Sequence, residues 1–220
     1  METESTRGIL RDALGIAVAS GAYAISFGAI SVAAGLSITQ TCLLSVVMFT
    51  GGSQFALVGV VGAGGSVWAG AVAAALLGSR NALYGIRLAS LLNPRGWRRL
   101  FAAQFVIDET TAMAIARDDP RLGRYAFYAT GFALFVFWNA GTLIGAFATQ
   151  AISDPKVLGL DAAPPAAFLA LLAPRLRARE PLAIAIAAAV VAIAVLPFVP
   201  AGVPLLVVAV LVAVYGWFRR

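Results

Sequence analysis

Apolar runs of membrane-spanning length, separated by short stretches rich in arginine, constrain this chain more than any other feature. Hydrocarbon offers backbone groups no hydrogen-bond partner, so only helices or a closed barrel can occupy it. A spanning helix needs about 20 apolar residues, and the runs at 13–36, 125–149 and 181–199 meet or approach that length. The short alternating segments of a barrel are missing. Charged residues make up only 12% of the chain, against about a quarter in soluble domains. The expected fold is an all-α polytopic membrane protein, one transmembrane domain over 1–220, with polar ends at 1–12 and 219–220.

The net charge of +6 would suggest nucleic acid in a soluble protein. Here every cation but Lys156 is an arginine, and most lie between apolar runs. They read as topology determinants held on the cytoplasmic side, which leaves no basic patch for nucleic acid. Arginines near the N-terminus, at 117–124, at 175–179 and at 219–220 then place both termini in the cytoplasm. Loops at 37–40, 150–158 and 199–202 fall outside. The N-terminus lacks the pattern of a removable signal peptide, so the first span is retained. One cysteine and no histidine leave no disulfide, no metal site and no cofactor to expect.

Six crossings are expected, at 13–36, 41–62, 125–149, 159–174, 181–199 and 203–218, and two further segments are interrupted, re-entrant or short, at 67–92 and 100–116. Polar breaks mark the first half. Gly51-Gly52-Ser53-Gln54-Phe55 lies inside an apolar segment, where each glycine weakens a helix by about 1 kcal/mol relative to alanine. Such a break is either a binding site or a close-packing face. Arg80-Asn81 interrupts 67–92, with Tyr84 and Arg87 on the following turns of one face. Asp108-Glu109 stands at the middle of 100–116. If 67–92 and 100–116 both cross, Arg95, Arg98 and Arg99 fall outside and break the arginine rule; if both re-enter, they fall inside.

Taken together, Gly51 to Phe55, Arg80-Asn81 with Leu83-Tyr84-Gly85, Asp108-Glu109, and Leu158-Gly159-Leu160-Asp161 followed by Phe168 to Leu172 resemble the AzlC family of branched-chain amino acid exporters. The family pattern reads Asn-x-Arg ahead of Leu-Tyr, whereas here Arg80 precedes Asn81, so which of the two plays the family arginine's part is open. The resemblance implies efflux of leucine, isoleucine, valine or other hydrophobic amino acids across a bacterial inner membrane. It also implies a small AzlD-type membrane subunit as partner and the proton-motive force as driver.

An amino acid needs donors for its carboxylate, acceptors for its ammonium and an apolar wall for its side chain. The first can come from a broken helix at Gly51 and Gly52, from Ser53, Gln54 or Arg80. Asp108 or Glu109 can supply the second, and Phe55 or Trp138 the third. Asn81, Tyr84 and Asn139 complete the expected contacts. Against these roles stand plainer ones: helix packing for Ser53, Gln54 and Trp138, headgroup contact for Arg80, and an internal salt bridge to Arg80 or Arg87 for the acid pair. Without histidine, proton coupling falls to Asp108, Glu109 or Asp161, the last better read as a helix cap. An enzyme is not expected, since adjacent acids diverge by about 100° on a helix. A structural subunit and a small-solute channel remain the alternatives.

Overall fold

The computed structural model describes residues 6–150, 169, 173, 175–199 and 202–218, all helical or in connecting turns. Two long helices, α1 (Thr6–Ala33) and α8 (Pro120–Gln150), run parallel through its centre. Their lengths correspond to about 42 and 46 Å at 1.5 Å per residue. Small residues explain the pairing. A side chain at Gly28 would collide with the Thr142 carbonyl, one at Gly141 with that of Gly21, and one at Gly145 with that of Ile25. Helices that approach this closely need glycine at the contact. The spacing of small residues along both spans suggests close packing at each glycine, and Gly21, Gly28, Gly141 and Gly145 do lie at such contacts. Gly15 instead faces open space, and Gly35 turns the chain at φ +96°.

The paired helices serve as a ruler for the rest. Asp12 lies 3.9 Å from Arg117, and Ile9 packs with Met113 and Ala126, which marks the near face where both helices begin. Helix α2 (Ile38–Val47) starts at the far face behind a Ser37/Gln40 capping box. It descends to mid-depth, where the non-helical Phe49 packs on Phe135 at 5.1 Å. Helix α3 (Gly51–Gly62) then climbs back: Gly51 meets Trp138, Phe55 meets Phe27, and Gly62 meets Ala34 beyond the end of α1. The segment 41–62 was expected to cross. It instead enters and leaves by the far face, because two half-length helices joined by a turn have the apolar content of one span.

Helix α4 (Val67–Gly78) descends antiparallel to α3, with Gly70 against Leu57 and Gly78 against Ser53. After a one-residue turn at Ser79, α5 (Arg80–Leu92) continues to the near face, where the Leu91 carbonyl accepts from Arg124 at 2.7 Å. Thus 67–92 crosses as two half-helices around a polar break. Helix α6 (Arg98–Gln104) rises from the near face, past Tyr128, until Phe105 packs against Gly131. Helix α7 (Asp108–Ile115) returns to the near face, where Ala114 meets Gly123. The 100–116 segment therefore re-enters. This combination of one crossing and one re-entry was not among the two parities expected. It places Arg95, Arg98 and Arg99 on the same face as Arg7, Arg11 and Arg117, which removes the charge conflict.

Helices α9 (Arg179–Val195) and α10 (Val203–Phe218) form an antiparallel pair whose far turn, at Gly202, lies against Val60 and Ala69. Among the described residues, three helices are individually long and apolar enough to cross: α1, α8 and 179–198. Apart from residues 169 and 173, the expected crossing at 159–174 and the motif at 158–161 and 168–172 lie outside the described residues.

The two hairpin tips meet at mid-depth, with Phe49 and Phe105 rings 6.3 Å apart. Each tip interrupts a helical ladder, and its freed carbonyls are satisfied by side chains, as burial away from water requires. Gln54 Nε2 donates to the carbonyls of Leu44 and Ser45 at 3.3 and 3.4 Å, and Gln104 Nε2 to that of Val46 at 2.6 Å. At the other tip the Thr111 hydroxyl donates to the Ile107 carbonyl at 2.7 Å, and the Ile107 amide donates to Thr110 Oγ1 at 3.2 Å.

A cavity where three helix N-termini converge

The breaks do more than turn the chain. Helices α3, α5 and α7 all begin at mid-depth, and their first residues line one cavity of about 290 Å³. Gly51 and Gly52 come from α3, Arg80 from α5, and Asp108 and Glu109 from α7; Tyr23, Phe49, Leu134 and Trp138 supply its apolar wall. Glycine is required at the first of the pair: a Cβ on Gly51 would lie 2.7 Å from the Trp138 ring, whereas one on Gly52 would meet Leu77 and Arg80 at ordinary contact distances of 3.4 and 3.6 Å.

The electrostatics follow from the same convergence. Each helix N-terminus carries a partial positive charge and unpaired N–H groups, which favour anions. Arg80 Nη2 meets Asp108 Oδ2 at 2.7 Å, both side chains about a third exposed. Arg80 Nε, Asp108 Oδ1 and Trp138 Nε1 are buried with no protein partner. Buried polar atoms without partners are rare enough in folded proteins to need an explanation. A donor, an acceptor and an indole N–H around one small cavity match a ligand that carries both charges. The volume lies at the lower end of small-molecule pockets.

The structure brings together six of the residues singled out in the sequence: Gly51, Gly52, Arg80, Asp108, Glu109 and Trp138. Others stand off the cavity wall. Ser53 is buried toward Gly78, and Gln54 is turned onto the α2 carbonyls. Phe55 packs behind the wall on Tyr23 and Phe27, at 4.9 and 5.4 Å. Asn81 donates to Thr50 Oγ1 at 3.4 Å and faces a different cavity. Tyr84 is one turn further along α5, and Asn139 donates to the Phe135 carbonyl of its own helix at 2.8 Å. Sequence reasoning missed Ser20, Tyr23 and Thr50. The signal for the first two was a serine and a tyrosine one turn apart in a span otherwise largely apolar. Among the described residues, no cluster of acids and cysteine could hold a metal.

The comparisons with known proteins cover this same region. Residues 15–152 match the family model described as AzlC protein. The inner membrane protein YgaZ of Escherichia coli (strain K12) is 30% identical over 142 residues, 62% of this chain and 58% of YgaZ. The match therefore spans less than two thirds of that relative's length. No solved structure matches. Residues 15–33 of α1 and everything from α2 to α8, with the cavity and both hairpins, fall inside the family match. The chain is a membrane protein and belongs to the AzlC family.

Proposed function

We propose that this chain is the large subunit of a secondary exporter that moves branched-chain or other hydrophobic amino acids out of the bacterial cytoplasm. The observation that carries the reading is the cavity itself. Arg80 and the helix N-termini suit an α-carboxylate, Asp108 and Glu109 suit an α-ammonium, and Tyr23, Phe49, Leu134 and Trp138 suit an aliphatic side chain. With no histidine in the chain, the two carboxylates are the groups in the cavity wall that can carry a proton, in keeping with drive by the proton-motive force. A small AzlD-type membrane subunit is the proposed partner, supported by the family resemblance. Both termini are proposed to be cytoplasmic, since the arginines at 7–11, 95–99 and 117–124 share one face.

Proteoliposomes containing both subunits and loaded with labelled leucine or valine test the assignment. Efflux should fall at least about tenfold in Arg80→Ala and in Asp108→Asn, each losing one charged contact. Wild-type rates in both variants would remove the cavity from the transport route. A thiol at Arg98→Cys should react only from the cytoplasmic side.

A further inference from the structure

A second cavity, about 440 Å³, lies back to back with the first. The wall between them is formed by the three breaks. Phe49 and Thr50 line both cavities; Arg80 lines the first and Asn81 the second; Ile107 lines the first and Val106 the second. At the second and third interruptions, then, chain neighbours face opposite cavities. The partition is built from the Phe49-Thr50 linker, the first residues of α5 and the Val106-Ile107 linker.

The two chambers differ in charge. The first holds Arg80, Asp108 and Glu109, whereas among the described residues no charged one lines the second. Its polar groups are Thr50, Asn81 and Gln104, and the Asn81 Oδ1 atom is buried with no protein partner. A solute passing from ionic contacts to neutral ones is bound firmly enough to enter and weakly enough to leave. The partition is also suited to move. Phe49 plugs it, 6% exposed and packed edge-on against Phe105 and Phe135, but it belongs to no helix. The polar link that crosses it, Asn81 to Thr50, is long at 3.4 Å. Half-helices can pivot about such linkers, which absorb the dihedral change.

We infer that the second cavity is a further station on the same transport route, taking the same small zwitterion with an apolar side chain, and that the Phe49-Thr50 linker is the gate between the two. The inference rests on the proposal that the first cavity holds the transported solute.

The test uses the full two-subunit complex in proteoliposomes, with leucine as probe. Cys42 is the chain's single cysteine, so Cys42→Ser provides a thiol-free background. Ser20→Cys reports on the first cavity and Ala82→Cys on the second, with a membrane-impermeant thiosulfonate supplied on both sides. Leucine should slow modification at both positions several-fold, and modification at either should block efflux. Phe49→Leu and Phe49→Ala should let leucine run down its own gradient several-fold faster without a pH gradient, and Phe49→Trp should slow it. Protection at Ser20→Cys, with an Ala82→Cys thiol that is unreactive or whose modification leaves efflux intact, overturns the inference and leaves the first site standing. Loss of protection at Ser20→Cys overturns the first site, and the second station with it.

Discussion

The α1/α8 pair and the three interrupted segments beside it answer the same bilayer in opposite ways. The pair is continuous, its backbones pressed together through Gly21, Gly28, Gly141 and Gly145. The interrupted segments stop at mid-depth, and side chains satisfy the carbonyls that each break releases. In lipid there is little hydrophobic drive to hold helices together, so close packing supplies a frame. Broken helices are tolerated only where protein or a cavity receives their polar ends. Here the two arrangements depend on each other: the frame supplies Tyr23, Leu134 and Trp138 to the cavity, and the breaks supply its charge. The contrast implies that damage to the frame should unfold the protein, while damage at the breaks should impair transport first.

The largest effect should come from Gly145→Leu, whose side chain would be driven into the Ile25 backbone. Overpacking of that kind costs about 3 kcal/mol or more, and folded protein recovered in detergent should drop severely. Asp108→Ala comes next. Stranding a fully buried partner costs about 3–5 kcal/mol, but Arg80 and Asp108 are 29% and 34% exposed, so solvent screening reduces the loss. Melting should shift modestly while efflux collapses, and reintroducing the acid as Asp108→Glu should recover part of it.

Gln54 separates the two arrangements more finely. Gln54→Ala and Gln54→Glu both remove the amide donor that serves Leu44 and Ser45. Each should destabilise by about 1–3 kcal/mol, the cost of leaving the Ser45 carbonyl unserved, since that of Leu44 keeps the Met48 amide, read as a lower melting temperature with leucine affinity little changed. A loss of affinity at unchanged melting would return Gln54 to the substrate. The smallest effect belongs to Gly15, where a methyl group meets nothing. Gly15→Ala should stabilise the frame by up to about 1 kcal/mol through helix propensity, visible as a small rise in melting temperature.

The membrane class was legible because composition alone decides what can enter hydrocarbon. The polar breaks were legible because Arg80, Asp108 and Glu109 are costly against lipid and had to face inward. The Arg80–Asp108 pair was one of the partnerships the acids allowed. What the sequence hid was where each segment turned. The first hairpin bends at Met48 to Thr50, ahead of the glycine pair and with no glycine or proline of its own. Hydropathy is blind to this, since a segment that goes halfway and returns is as apolar as one that crosses. Gln54 was hard to read for a related reason: a polar side chain at mid-depth reads as a ligand contact when the freed carbonyls its Nε2 serves are not yet known.

Trp138 gives the cavity an optical handle. Of the four tryptophans, Trp68, Trp97 and Trp217 are 82%, 73% and 76% exposed, whereas Trp138 is 7% exposed, with its ring against Gly51. Replacing the other three with phenylalanine would leave a single indole, and its emission would come from the cavity wall alone. Its colour and quenching would then follow the arrival of an unlabelled solute in real time.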